Sequence, residues 1–259
     1  MYYYIYDASL NDKKYSSSIH RIENRLMQLG ISGRIEKLSL LKSFKETVED
    51  AVKKGATTIV AVGNDNTVSK IVSVLPSLNI TFGIIPVGPN NQIARILGIP
   101  EGEQACDVLS ARITEKIDLG KANQYYFISS LAIPQSKDII VDCGDYNISA
   151  SSNHSSLNIY NINTTKKSGY GEKKRYGSNP KDGLLEVVFE SPKQSHGLRN
   201  FFKKEYSTKS IFPLKKLKIK CSTNSLPVIV DGQVTFKTPV TVEVAPKKLK
   251  VIVGKNRMF

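Results

Sequence analysis

Residues 55–100 read GATTIVAVGNDNTVSKIVSVLPSLNITFGIIPVGPNNQIARILGIP. Within this stretch Thr57–Val62 is wholly apolar or β-branched, the pattern of a strand buried on both faces. A polar loop, Gly63–Thr67, opens a helix that runs to about Leu75 and stops before Pro76. Ile80–Pro86 repeats the buried strand and Gly88–Asn91 repeats the Gly/Asn loop. Asn91–Leu97 predicts a short helix closed by Gly98. Two strand–loop–helix units in tandem place two loops and two helix N-termini on one edge of a parallel sheet, the edge where a phosphate would sit.

Working outward, Tyr2–Tyr6 and Gly33–Leu38 read as strands. Ser16–Leu29 carries Ile19, Ile22, Leu26 and Leu29 at helical spacing and ends at Gly30. Ser43 followed by Glu46 has the spacing of a capping box and opens a helix through Lys54, and Glu103–Arg112 predicts another. Strands alternating with helices predict a doubly wound, three-layer α/β domain over residues 1–118. After Ile113 the texture changes. Tyr125–Ala132, Asp138–Val141, Asn147–Ser151, Leu157–Ile162 and Leu184–Glu190 read as short strands. Thr164–Asn179 reads as a basic loop, and His196–Glu205 as a short amphipathic helix. Leu217, Ile219 and Cys221 alternate with Lys216, Lys218 and Lys220, which predicts one buried strand face and one lysine row. Val228–Val230, Val240–Val244 and Leu249–Val253 complete a β-rich, sandwich-like domain over 119–259. The boundary is expected near Asp118–Ala122, with a cleft between the domains and the last strand free to return to the first.

With 259 residues, 40% hydrophobic and 23% charged, the composition is that of a soluble globular protein. No apolar run approaches the roughly 18 residues of a membrane span, and MYYYIYDASL lacks the basic start and long apolar run of a signal peptide. The expectation is a cytoplasmic protein, peripheral on the inner face of the membrane if it meets one. Cys106, Cys143 and Cys221 form no CxxC, and His20, His154 and His196 belong to no recognisable catalytic or zinc motif. Residues 1–118 hold 14 Lys+Arg against 13 Asp+Glu, and residues 119–259 hold 23 against 10. A basic excess confined to one half points to an anionic membrane surface or nucleic acid, or to a solvated surface that aids solubility.

The two loops contain neither GxxxxGK[ST] nor GxGxxG. They resemble the diacylglycerol kinase catalytic family, which includes bacterial lipid kinases and sphingosine kinases. Its GGDGT loop matches Gly63-Asn64-Asp65-Asn66-Thr67, and its PxGTGNDFARxLGIP segment matches Pro86–Pro100, most closely over Ala94–Pro100. NAD kinase shares a GGDGT-like loop, but Ala94–Pro100 favours the lipid branch. In order along the chain, Ile117–Gly120 with Tyr126–Ile128 resembles the start of the family's second domain. Asn179–Leu185 resembles its DDGLL segment, Val230–Gln233 its DGE motif, and Ala245–Val251 its closing strand. The middle is shorter than the family pattern, which usually carries a helical excursion after the position of Phe127.

The resemblance implies transfer of the ATP γ-phosphate to a lipid hydroxyl. Such a reaction needs phosphates held by backbone N–H groups, Mg²⁺ held by carboxylates and an aligned acceptor. On that basis Gly63, Asn64, Asn66, Thr67, Gly88, Asn90 and Asn91 would hold phosphates, and Asp65 would join the Mg²⁺ network. Asp231 would be the general base. Asp182, with the carbonyls of Asn179 and Leu184, would match a structural metal site. Taken alone, Asp65 also reads as an Asx-turn, and Asp231 and Asp182 as Asp-Gly hairpin residues.

The departures from the family concentrate in these motifs. Asn stands for Gly at Asn64, Asn66 and Asn90; Pro89 replaces Thr and deletes an N–H. Gln92 and Gln233 replace acids, Lys70 stands where an acid is common, and the NPxSG phosphate segment would lie at Asp7–Leu10, where it is not recognisable. Asn tolerates a left-handed backbone but fills the space that Gly leaves to a phosphate. An amide keeps the acceptor oxygen and loses the charge that attracts Mg²⁺. ATP and Mg²⁺ are therefore implied by the family and opposed by the erosion. Three readings follow: a lipid kinase acting at an anionic membrane surface; a pseudokinase that binds lipid, nucleotide or a protein partner; and a nucleic-acid binder. The last is disfavoured by the absence of RRM, KH or helix-turn-helix signatures. A homo-oligomer stays open.

Overall fold

A computed structural model of the chain describes residues 1–38, 43–136, 139–149, 155–165, 176–191, 208–222 and 225–259. Strands β1 (Tyr2–Tyr6), β2 (Arg34–Lys37), β3 (Thr58–Gly63) and β4 (Thr81–Pro86) alternate with helices α1 (Ser16–Gln28), α2 (Phe44–Lys53), α3 (Asp65–Val72), α4 (Gln92–Ile96) and α5 (Gln104–Ala111). The four strands are parallel in the order β2-β1-β3-β4. Every residue of β3 and β4 is buried, as their unbroken apolar sequences require of strands covered on both faces. α1 packs with α5, and α2 with α3. The chain leaves β1 for β2 on one side and returns to β3 on the other, so the C-terminal ends of β1 and β3 flank a topological switch point, where such sheets bind ligands.

The second half is β5 (Thr114–Ala122), β6 (Tyr125–Phe127), β7 (Ser130–Ser136), β8 (Ile139–Asp142), β9 (Asn147–Ser149), β10 (Ser155–Tyr160), β11 (Thr164–Thr165), β12 (Tyr176–Gly177), β13 (Leu185–Ser191), β14 (Thr208–Leu214), β15 (Lys216–Cys221), β16 (Pro227–Val230), β17 (Gln233–Lys237) and β18 (Val240–Ile252). The antiparallel sheet has the order β14-β13-β10-β7-β16-β17. β18 runs antiparallel to β5 and β15, and its end pairs in parallel with β4, Lys250 opposite Thr81 and Val251 opposite Phe82. The parallel sheet thereby continues through β18 to β15, β8 and β9. One hydrophobic core, including Tyr4, Val60 and Ile85, lies in the α/β half. A second, including Leu157, Val187, Leu217 and Val242, lies where the antiparallel sheet faces the β18-β15-β8 end of the first.

Several sequence expectations change in detail. Asp118–Ala122, where the domain boundary is expected, lies within β5, a continuous strand held by β18. Gly120 is needed there because the Phe127 ring covers it: a Cβ would lie 2.0 Å from the ring, and the two residues are opposite in the ladder. Tyr125–Ala132 divides into β6 and β7 around Ile128–Ser129, and the helix expected to reach Leu75 ends at Val72, with Leu75–Ser77 a 3₁₀ turn. The expected helix His196–Glu205, the core of the basic loop at 166–175, Asp138 and residues 150–151 lie outside the described residues.

Candidate functional site

The first loop leaves β3 at Gly63. A Cβ there would lie 2.5 Å from Thr67 Oγ1 and 3.1 Å from Asp7 Cβ, so glycine lets β1 and the first turn of α3 close together. Across that gap Thr67 Oγ1 donates to Asp7 Oδ2 (2.7 Å), and Asp7 Oδ1 accepts from the Ser9 N–H (2.8 Å) and hydroxyl (2.6 Å). Burial pushes the Asp7 carboxyl up, but the Ser9 and Thr67 hydrogen bonds, with the Lys70 charge, outweigh it and hold the group below its ordinary value. An ionised carboxylate therefore stands at the switch point, beside the N-terminus of α3.

Asn64 is the N-cap of α3. Its backbone is extended (φ −104°, ψ −173°) and its Oδ1 accepts from the N–H of Asn66 (3.1 Å) and Thr67 (3.4 Å). These are N–H groups that a helix N-terminus otherwise offers to an anion. Of the three asparagines expected to replace glycine in a left-handed path, only Asn90 is left-handed (φ 65°). Asn64 is extended and Asn66 lies in the first turn of α3.

Asp65 reaches the second loop. Its Oδ2 accepts from the Gln92 N–H (2.8 Å) and its Oδ1 from the Ile93 N–H (3.0 Å), so it caps α4 from another helix. Its own N–H donates to the Asn90 carbonyl (2.9 Å). Asn91, the N-cap position of α4, makes no side-chain cap. Its Nδ2 instead donates to the carbonyl of Gly88 (2.7 Å; φ 89°) and to Glu101 Oε1 (3.3 Å).

Asp231 and Gly232 form the tight turn between β16 and β17 with φ of 47° and 82°, the backbone for which Asp-Gly is suited. The hairpin reading is met, and the turn leaves Asp231 lining the cleft. Asp231 Oδ1 accepts from the N–H of Ser129 and Ser130 (2.9 Å each) and Oδ2 from the N–H of Ile128 (3.1 Å). Burial raises the Asp231 carboxyl against these hydrogen bonds. Burial likewise raises Asp65, opposed by the Ile93 and Gln92 N–H groups and reinforced by the Asp231 charge. Both acids line a cleft of about 340 Å³ with Ser69, Asn90 and Gln92 from the first half and Ser129, Ser130 and Asn163 from the second. Among the described residues no Lys, Arg or His lines it. Next in sequence to two lining residues, Gly232 and Asp65, Gln233 Nε2 donates to Asn66 Oδ1.

Asp182, Asn179 and Leu184 share one turn before β13 and do not line the cleft. Asp182 is exposed, its Oδ1 accepts from the Leu184 N–H (2.9 Å), and its N–H donates to the Asn179 carbonyl (3.3 Å). Among the described residues no three His, Cys, Asp or Glu gather as metal ligands. The buried acid here is Asp118, 2% exposed. Its Oδ2 accepts from the Gly183 N–H (2.9 Å), its Oδ1 from the Lys247 N–H (2.7 Å), and its carbonyl from Asn161 Nδ2 (3.0 Å). It thus pins the Asn179–Gly183 turn and the bend of β18 to β5.

Sequence reasoning placed the phosphate segment at Asp7–Leu10 without recognising a motif there, and missed Ser69 and Asp118 as site or support residues. Ser69 was findable, since it lies one helical turn from Asp65 and faces the same way. Asp7 is the first residue after β1, at the sheet edge where ligands bind, but matches no motif.

Residues 2–122 match the family described as the diacylglycerol kinase catalytic domain. A diacylglycerol kinase of Bacillus subtilis is 27% identical over 129 residues, 48% of this chain and 43% of that protein. One of Mycobacterium tuberculosis is 40% identical over 73 residues, 27% of this chain and 24% of that protein. The chain spans less than half the length of these curated relatives. A solved diacylglycerol kinase from Bacillus anthracis has the same fold, with a TM-score of 0.77 at 17% identity over 99% of this chain and 98% of that one. Residues 2–122, just under half of the chain, are thus similar to the diacylglycerol kinase catalytic domain and to lipid kinases that carry it, and the whole chain shares the two-sheet fold of the solved protein.

Proposed function

We propose that this chain is a lipid-binding pseudokinase: it keeps the acceptor cleft between the two halves and has given up the cradle for a triphosphate. The observation that carries this reading is the Asn64 side chain, whose amide oxygen takes the Asn66 and Thr67 N–H groups. The surrounding donor set agrees. Asp7 brings a fixed negative charge to the phosphate side of the loop, and like charge within a few ångströms opposes an incoming anion. Both oxygens of Asp65, the expected partner of Mg²⁺, already cap α4, and Gln92 and Gln233 are neutral. These residues do not fit Mg-ATP.

One observation favours the second reading, an ATP-dependent lipid kinase. Asp231 lies in the cleft with its carboxyl raised by burial, which improves its capacity to take a proton from an acceptor hydroxyl.

Radiolabelled Mg-ATP with mixed vesicles carrying diacylglycerol, sphingoid base or glycerophospholipid separates the two. The expected result is no labelled lipid and no thermal shift with Mg-ATP. A labelled lipid that disappears in Asp231→Ala overturns the pseudokinase reading in favour of the kinase.

A further inference from the structure

Two of the residues that depart from the family motifs meet in space. Asn66, in the first turn of α3, and Gln233, at the start of β17, are separated by 167 positions, and Gln233 Nε2 donates to Asn66 Oδ1. One turn further along α3, Ser69 lines the cleft together with Asp231. Asp231 in turn accepts from the N–H groups of Ile128, Ser129 and Ser130. α3 is therefore fastened to the Asp231–Gln233 turn by the amide pair, and that turn is held through Asp231 to the β6–β7 connection.

We propose that the Asn66–Gln233 amide pair is a latch that holds the cleft closed without nucleotide. The inference rests on the pseudokinase reading in one respect, that no metal–nucleotide group bridges these two segments. Two amides suit the task. Each offers a donor and an acceptor, and neither carries charge. An acid at 233 would add a third carboxylate near Asp65 and Asp231, which already disfavour each other's ionised form. The amide pair joins the same segments without that repulsion, and salt does not screen it.

Hydrogen exchange on the full chain without nucleotide tests the latch at the Ile128, Ser129 and Ser130 amides, which Asp231 holds. A neutral hydrogen bond of ordinary strength shifts an open–closed equilibrium by about two- to twelvefold. Asn66→Ala and Gln233→Ala are each expected to speed exchange at these amides by that factor, and the double variant to be no faster than the faster single. Unchanged exchange in both singles overturns the latch, as does a double variant whose acceleration is the product of the two. Gln233→Asn, one methylene too short to reach, guards against a misfolded alanine variant: it is expected to match Gln233→Ala, and exchange at the wild-type rate overturns the proposal. Mg-ATP is expected to leave wild-type exchange unchanged. Lipid phosphorylation by the wild type would remove the pseudokinase reading, whereas the nucleotide-free comparison judges the latch by itself.

Discussion

At an N-cap, asparagine and glycine differ by only a few tenths of a kcal/mol in helix stability. Asn64→Gly should therefore shift the urea midpoint very little while releasing the Asn66 and Thr67 N–H groups that its side chain now occupies. Combined with Asn66→Gly, Gln92→Asp and Gln233→Glu, it is expected to give a thermal shift with Mg-ATP that the wild type lacks; no shift in the quadruple variant would mean that Asp7 or Pro89 is the stronger obstacle. The raised carboxyls make a second prediction. Between the ordinary value of 3.8 and its raised folded value, Asp231 binds a proton in the native state that the unfolded chain has released. Stability from this group therefore falls as pH rises through that window, and at neutral pH its ionisation is a cost. Asp65 acts in the same direction, and the two titrate as a coupled pair. Urea titrations should show wild type gaining on Asp231→Asn as pH is lowered from 7 toward 4; a pH-independent difference would refute the assignment. The carboxylates themselves were legible from motif order, and their partners were not. Asp65 is held by N–H groups 27 and 28 positions away, and Asp231 by N–H groups more than 100 away, distances over which no local pattern forms.

Among the elements, α4 gains most from its surroundings. It has five residues, too few to hold a helix by its own hydrogen bonds, and Asp65 caps one end. The segment after β18 closes the other: the Gly254 N–H donates to the Leu97 carbonyl and the Met258 N–H to the Ile96 carbonyl, both at 2.9 Å. Gly98 is left-handed (φ 72°) and a Cβ on it would lie 2.6 Å from the Arg257 nitrogen, while a Cβ on Gly254 would lie 1.8 Å from the Gly98 carbonyl oxygen. The Ala94–Pro100 motif, the closest match to the family, is in large part a packing device. Gly98→Ala and Gly254→Ala should each lower unfolding free energy by about 1–3 kcal/mol or more, because backbone rather than a flexible side chain must move; urea denaturation with near wild-type values would contradict the close approach. β3 and β4 were legible because complete burial writes an unbroken apolar run. β14 and β17 were not: TKSIFPL and QVTFK show no sustained alternation, and their pairing with β13 and β16 decides their structure.

At the scale of the whole molecule the basic half is partly neutralised where it is described. The expected lysine row on β15 is present, but Lys216 pairs with Glu243 (3.5 Å) and Lys220 with Asp142 (2.6 Å), and Lys121 also reaches Glu243 (3.4 Å). Four lysines, counting Lys218, thus face two acids, and the patch stays basic. If this row meets an anionic membrane, Lys216→Glu, Lys218→Glu and Lys220→Glu should each weaken binding to phosphatidylserine vesicles by about 1 kcal/mol at low salt. Binding unaffected by salt, or tighter binding to random DNA, would redirect the partner. No described helix is long and apolar enough to cross a membrane. The joining of both halves by β18 has a consequence for the chain as it is made. β4 finds its outer neighbour only in Lys250 and Val251, and β5 is held along its length by the same strand. Residues 1–122 as an isolated fragment should therefore give the narrow amide spectrum of an unfolded or aggregated chain, despite containing the whole region that matches the family. On the ribosome, the parallel sheet waits with its β4 edge open until β18 emerges, so a premature stop between residues 122 and 250 forfeits the first half along with the second.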